Sequence, residues 1–280
     1  MKVNGKDIAE KILDELKIRV QRLKEKGITP TLAIILVGNN PQSVSYVGQK
    51  ELKATKIGAN VIVKRLKDGI SEKEILDLIS KLNNNPKIHG IIVQRPVKGV
   101  NPQKLDEAVL SEKDVDGFNL QSKFDYPVAK AVLTILEHIY FSIKKDNRFD
   151  EFLRRSKIVL IGKGETGGYP ILKTLRGLGI EPVLVDSRTR ETELLTKSAD
   201  IIVSAVGRPN VVKPEMIKRG VILLSVGLYK GEDDKMHGDY DEEKIKRIAS
   251  SYTPTPGGVG PVNVVSLLEN LVEAADNQVS

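Results

Sequence analysis

With 280 residues, 40% hydrophobic and 29% charged, the chain can bury cores for two domains, while no apolar run approaches the ~20 residues that a bilayer span needs. Its 44 Lys and Arg against 37 Asp and Glu leave a net charge of +7, but the signs are interleaved and aromatics are only 4%, which favours a solvated surface attracting small anions over a nucleic-acid interface. Zero cysteines exclude disulfides and thiolate chemistry, and three histidines without ligand spacing (His89, His138, His237) argue against a metal centre. Residues 4–26 put Ile8, Ile12, Leu13, Leu16, Val20 and Leu23 on one face and stop at Gly27, predicting a long amphipathic helix. No signal-peptide core precedes it, so a soluble, cytoplasmic protein is the simplest expectation. The apolar run 32–37 predicts a buried strand, 43–57 a helix stopped at Gly58, and 60–63 a strand. A helix over 71–82 carries Ser71 and Glu74 in capping-box positions, and 88–93 is another buried strand ending at Gln94-Arg95-Pro96. This alternation implies a parallel sheet covered by helices.

Beyond a turn at 113–118, a helix is predicted over 129–143 and a charged link over 144–156. A second alternating unit follows, with strands at 158–161, 182–185, 201–203 and 221–226 and helices near 171–178 and 191–197. The last helix, 264–275, is expected to return to the first domain. The fold class is therefore α/β, with an N-terminal α/β domain, a Rossmann-type doubly wound parallel sheet and a cleft between them. The expected divisions are residues 1–125 completed by 262–280, a linking helix at 126–143, and a nucleotide-binding domain at 144–261.

Gly162-Lys163-Gly164-Glu165-Thr166-Gly167 lies between a strand and a helix, the context in which G-x-G-x-x-G turns present helix N-terminal amides to a pyrophosphate. An empty glycine-rich turn is the plainer alternative. The next strand ends in Asp186-Ser187-Arg188-Thr189-Arg190. Asp186 is placed to accept from ribose hydroxyls, which favours NAD; Lys163, Ser187, Arg188 and Arg190 suit a 2′-phosphate, which favours NADP. Tyr46 and Lys50 share a helical face one turn apart, a spacing more often merely solvated. Gln94 stands at a strand's C-terminal end, where open α/β sheets contact ligands. Asp116 precedes Gly117 in a turn that its carboxylate can cap. Thr253-Pro-Thr-Pro-Gly-Gly-Val-Gly-Pro-Val-Asn263 reads as a stiff irregular segment, either an interdomain turn or a wall that a ligand approaches closely.

In their order along nearly the whole chain, these segments resemble the methylenetetrahydrofolate dehydrogenase/cyclohydrolase family. The likeness rests on Val37-Gly-Asn-Asn-Pro-Gln-Ser43 leading into Tyr46-Val-x-x-Lys50, on Gly90-Ile-Ile-Val-Gln-Arg-Pro96, and on Lys113-Asp-Val-Asp-Gly-Phe118. Ala205-Val-Gly-Arg-Pro-Asn210 and Thr253-Pro-x-Pro-Gly-Gly-Val-Gly-Pro261 complete it. The resemblance implies a bifunctional enzyme of one-carbon metabolism that oxidises methylenetetrahydrofolate with NADP (NAD being the alternative) and hydrolyses the methenyl product. It implies Lys50 as the central group of hydrolysis, Gln94 tuning it, Tyr46 stacking on folate and Asp116 gripping the pterin amino edge. Val93 and Arg95 would line the folate side, with Pro256, Gly257, Gly258, Val259 and Gly260 as its wall. Gly162, Lys163 and Gly164 would line the cofactor phosphates, with Ser187, Arg188 and Leu228 nearby. A homodimer through the nucleotide domain, with no metal, nucleic acid or membrane partner, is also implied.

The chain departs from the family pattern in several places. Arg95 stands where leucine is usual, Gly162-Lys163-Gly164 where Gly-Arg-Ser is, and Tyr126-Pro-Val-Ala129 where Pro-Cys-Thr-Pro is. Ser225 and Tyr229 replace Asp and Asn, and Pro261-Val-Asn263 replaces Pro-Met-Thr. Arg95 is expected to reach the glutamate tail of folate or to act as a cation near Lys50. Rival readings are a dehydrogenase-only relative, another two-domain NAD(P) oxidoreductase, and a nucleotide-binding protein without turnover.

Overall fold

The protein is described by a computed structural model over residues 1–278. Helix α1 (Gly5–Glu25) buries Leu13, Leu16, Val20 and Leu23, and the chain leaves it through Gly27 at φ +81°, a conformation that glycine adopts without penalty. Strand β1 (Thr31–Val37) is buried at every position because it is the centre of a three-stranded parallel sheet, ordered β2-β1-β3. Between β1 and β2 (Asn60–Leu66), helix α2 (Pro41–Ile57) starts at Pro41, with the Asn40 side chain accepting from the amides of Gln42 and Ser43. Such a cap stabilises a helix by about 1 kcal/mol. Helix α3 (Glu72–Asn83) has the anticipated capping box, in which Ser71 and Glu74 satisfy each other's amides. In the sheet register Leu36 lies opposite Gln94, the last residue of β3 (Gly90–Gln94), so Gln94 sits on the C-terminal edge. Ile75, Ile79 and Leu82 of α3 pack with Ala33, Ile35, Ile88 and Ile91 in this core.

Several short helices escape the periodicity, two of them before the second sheet. Helix α4 (Pro102–Ala108) is capped by Asn101 and buries only Leu105. After α5 (Pro127–Ile143), the expected charged link folds into α6 (Phe149–Arg155). Only Leu153 of α6 is buried, but Phe149 and Phe152 meet the Tyr140 ring of α5 at centroid distances of 5.9 and 5.2 Å, which accounts for the helix.

The second sheet runs β10-β7-β6-β4-β5 and is parallel throughout, formed by β4 (Ile158–Ile161), β5 (Val183–Val185), β6 (Ile201–Ser204), β7 (Ile222–Ser225) and β10 (Ser251–Tyr252). Within this unit the strand order is 2-1-3-4-5, a doubly wound arrangement whose switch point falls between β4 and β6. Helices α7 (Gly168–Gly177), α8 (Thr192–Lys197) and α9 (Glu242–Ile245) link the strands, and β8 (Tyr229–Lys230) pairs with β9 (Met236–His237) as a hairpin. The chain's first residues extend the sheet edge, with the Val3 amide donating to the Tyr252 carbonyl at 2.8 Å.

The last helix, α10 (Val259–Asn277), begins five residues before the expected start. Val259, Gly260 and Pro261 therefore form its first turn rather than a continuing irregular wall. Proline is tolerated there because first-turn amides have no partner within the helix. By internal contacts one compact unit takes in Met1–Ala9 and Val128–Asn263; the other takes in Glu10–Pro127 and the described residues from Val264 onward. By these contacts residues 128–143 group with the second sheet. Among the described residues, no helix is long and apolar enough to cross a membrane.

Candidate active site

The C-terminal edge of the first sheet collects the residues singled out by their chemistry. Lys50 of α2 directs its Nζ at Gln94 Oε1, 3.0 Å away. The Gln94 amide is oriented from its other end, where Nε2 donates to the Arg95 carbonyl at 3.1 Å. That carbonyl also accepts from Ser43 Oγ at 3.2 Å, tying the end of β3 to the first turn of α2. Burial pushes the Lys50 ammonium below the usual lysine pKa, and the negative charge of Asp116 pushes back. Tyr46, one turn before Lys50, is half-buried, and burial raises its phenol. Val93 is half-buried against the core beneath.

Asp116 sits in the tight turn closed by Gly117 at φ +78°, where an added Cβ would lie 2.9 Å from the Phe124 carbonyl oxygen. Asp114 beside it is buried and accepts from the Asn119 amide at 2.7 Å. Burial first, then the charges of Asp116 and Asp106, push its carboxyl up to about 7. The Arg95 side chain is 12% exposed and hydrogen-bonded to Asp106 of α4, with Cζ 4.4 Å from the Phe118 ring centroid. Asp106, Phe118 and Ser43 were not selected from the sequence, since none stands in a chemistry-bearing spacing.

The second sheet presents its loops at the switch point. Gly162 is left-handed at φ +89°, and a Cβ there would lie 2.8 Å from the Ala205 carbonyl oxygen. The closest packing falls to Gly168 rather than Gly167: its added Cβ would be 2.0 Å from the Gly162 carbonyl oxygen. Gly164, in contrast, faces open space. No side chain caps α7. Lys163 Nζ is 2.7 Å from Asp186 Oδ2, and the Arg188 amide donates to Asp186 Oδ1 at 2.9 Å, so the carboxyl is held far below its ordinary pKa. Ser187 and Arg188 are exposed, and Leu228 is half-buried with its carbonyl against Gly207. An open glycine, an uncapped helix start and adjacent cations fit a phosphate-bearing dinucleotide.

A residue missed from the sequence organises this edge. Asp239 is fully buried and accepts from Ser204 Oγ and from the amides of Val206, Gly207 and Arg208, at 2.7 to 3.0 Å. Its only sequence signal was an Asp in a Gly-Asp-Tyr step, which resembles any turn. The Pro256–Gly258 stretch forms the turn before α10, with Gly257 at φ +103°. Gly5 of α1 approaches it so closely that a Cβ would lie 1.8 Å from the Gly258 carbonyl oxygen.

Comparison with known proteins gives consistent matches. A family model described as tetrahydrofolate dehydrogenase/cyclohydrolase, catalytic domain, covers residues 3–116, and its NAD(P)-binding-domain counterpart covers 129–279. The bifunctional protein FolD of Lactococcus lactis subsp. cremoris is 38% identical over 285 aligned positions, covering 99% of this chain and 98% of the relative. The crystal structure of the Campylobacter jejuni bifunctional FolD is 35% identical with a TM-score of 0.91, covering 99% of both chains. A Trypanosoma brucei methylenetetrahydrofolate dehydrogenase-cyclohydrolase, solved with NADP cofactor and an inhibitor, is 25% identical with a TM-score of 0.88, covering 100% of this chain and 98% of the other.

Proposed function

The chain belongs to the tetrahydrofolate dehydrogenase/cyclohydrolase family, and from that premise we propose that Lys50, oriented by Gln94, is the proton carrier of its hydrolytic step. The protein is a bifunctional enzyme of one-carbon metabolism: it oxidises 5,10-methylenetetrahydrofolate to the methenyl form with NADP and hydrolyses that product to 10-formyltetrahydrofolate. NADP supplies the hydride acceptor; Gly162, Lys163 and Gly164, with Ser187, Arg188 and Leu228 nearby, are the residues we assign to holding it. The folate assignments follow the same reading: Tyr46 against the pterin face, Asp116 at its amino edge and Val93 beneath, with Pro256, Gly257, Gly258, Val259 and Gly260 also assigned to folate.

The observation that carries the proposal is the 3.0 Å Lys50–Gln94 contact at an amine whose pKa burial has lowered. Oxidation of the methylene group leaves a cation, so a permanently charged ammonium beside it would oppose the reaction. A lysine that sheds its proton readily avoids this conflict. When water then attacks the methenyl carbon, the neutral amine takes one of the water's protons and returns it to the ring nitrogen that leaves; the remaining hydroxyl proton is lost to solvent as the formyl carbonyl forms, so the cation and water give a neutral product and one released proton. Gln94 Oε1 accepts from the amine and aims its lone pair, while Asp116 keeps the pKa from falling too far. We also infer a functional division into a folate unit and a nucleotide unit, a cytoplasmic location and a homodimer. Exposed Tyr169, Leu178 and Leu194 on the nucleotide unit support self-association, which light scattering of the purified chain measures directly.

The test measures NADPH formation from methylenetetrahydrofolate, with NAD in parallel, and methenyl decay separately. Lys50→Ala is expected to lower hydrolysis by about 100-fold or more while hydride transfer falls far less. Hydrolysis surviving in that variant would sink the role given to Lys50.

A further inference from the structure

We propose that Arg95 is a positioning residue for the hydrolytic step, acting on Lys50 through Gln94; this rests on the reading of Lys50 given above. The inference starts from a property of the Gln94 side chain. Its two ends have nearly the same shape but opposite hydrogen-bonding character, and only the carbonyl end can accept from the lysine. Its orientation is fixed by the Arg95 carbonyl, which accepts from Gln94 Nε2 at 3.1 Å and from Ser43 Oγ at 3.2 Å. Displacing that carbonyl releases the amide and loosens its link to α2 together.

What holds the carbonyl in place is the side chain of the same residue. The Arg95 guanidinium is hydrogen-bonded to Asp106 of α4 and lies over the Phe118 ring at 4.4 Å. Phe118 is two residues from Asp116 and meets Tyr126 edge-on at 5.2 Å, so it is itself fixed. One residue thereby pins three segments: the end of β3, helix α4 and the turn bearing Asp116. Side-chain exposures of 12% for Arg95 and 19% for Asp106 mean that both charges have lost much of their hydration. A desolvated ion pair is a weak source of net stability, but breaking it by removing one partner is costly. Its geometry is also directional, because a planar guanidinium engages a carboxylate and an aromatic face only from set angles. Burial, joined more weakly by the Asp116 charge, pushes the Asp106 carboxyl above its ordinary pKa, and the Arg95 hydrogen bond and charge offset part of that rise.

A double-mutant cycle tests this with the full-length enzyme, using Arg95→Leu, Arg95→Lys, Gln94→Ala and the Arg95→Leu/Gln94→Ala pair. Arg95→Leu is expected to lower kcat for methenyl hydrolysis about 10-fold, with KM for the methenyl substrate within about twofold. Arg95→Lys, which keeps a cation for Asp106, should recover part of the loss. In the Gln94→Ala background, adding Arg95→Leu should cost less than about twofold, because the residue acts through an amide no longer present. Should Arg95→Leu not fold, Asp106→Asn removes the charge partner at constant shape and is expected to act in the same direction. Multiplicative losses in the double variant would overturn the proposal, as would a raised KM at unchanged kcat. So would hydrolysis and hydride transfer falling in parallel with Tm, the mark of a purely structural role. If Gln94→Ala and Lys50→Ala both retain hydrolysis, the functional reading itself fails; intact Arg95→Leu beside an inactive Gln94→Ala overturns only the positioning role.

Discussion

Asp186 carries two demands that pull apart. At the end of the second strand of a dinucleotide-binding sheet, a carboxylate is placed to accept the ribose 2′-hydroxyl of NAD. Here both its oxygens are engaged, one by Lys163 Nζ at 2.7 Å and the other by the Arg188 amide at 2.9 Å. A 2′-hydroxyl must displace Lys163 to reach the carboxylate, whereas a 2′-phosphate must draw Lys163 away from it. With NADP as the hydride acceptor, Asp186 competes for the phosphate's own cation. Asp186→Ser removes that competition and a repelling charge. The pair is partly exposed, with side-chain exposures of 46% for Lys163 and 18% for Asp186, so solvent screens it and the gain is modest. We expect KM for NADP to fall about fivefold and KM for NAD to rise, read from kcat/KM with each nucleotide. An unchanged NADP KM would show that Lys163 is not the phosphate's partner.

Helix α7 shows how an element's first residue controls the loop before it. The open side of Gly168 faces the Gly162 carbonyl, where an added Cβ would lie 2.0 Å from the backbone oxygen. Gly168→Ala must therefore pry the β4–α7 loop open. The expected result is a rise in NADP KM of about 10-fold or more and a lower Tm, with methenyl hydrolysis, which consumes no nucleotide, much less affected. Equal loss of both activities would place the damage in the whole fold instead. That loop was legible from glycine spacing between a strand and a helix, and β4 and the Ser71–Glu74 cap followed from equally local signals. Helices α4 and α6 were not legible, because each buries a single aliphatic side chain and offers too few turns for a period to emerge. The start of α10 was hidden by Gly260 and Pro261, residues that read as loop but cost little in a first turn. Lys50 and Gln94, which the fold brings to 3.0 Å, could be picked out; Asp106, Phe118 and Asp239 could not, since their contacts exist only once distant segments meet.

At the scale of the molecule, the chain's end is part of the unit built from its first half. Asn270 of α10 is 2% exposed, and its Nδ2 donates to the carbonyls of Val115 at 2.9 Å and Asp125 at 2.8 Å. Those carbonyls flank the turn that carries Asp116, so a residue 154 positions downstream of that carboxylate, counted as 270 minus 116, holds its backbone. The terminal helix is otherwise packed through Val265, Leu268, Leu271 and Val272, all buried, which fixes the depth at which Asn270 can reach. Asn270→Ala leaves one buried and one partly buried carbonyl without their donor, a cost of about 1 to 3 kcal/mol. We expect a lower urea midpoint at unchanged m-value, since the surface exposed on unfolding stays the same. Because the strain falls on the Asp116 turn, KM for both folate substrates should rise while KM for NADP stays within about twofold. Asn270→Asp removes the donors but keeps the shape, and adds a charge among carbonyl oxygens, so it should be worse than alanine in both readings. A variant pair with normal folate KM would mean that the turn holds Asp116 without help from the terminal helix.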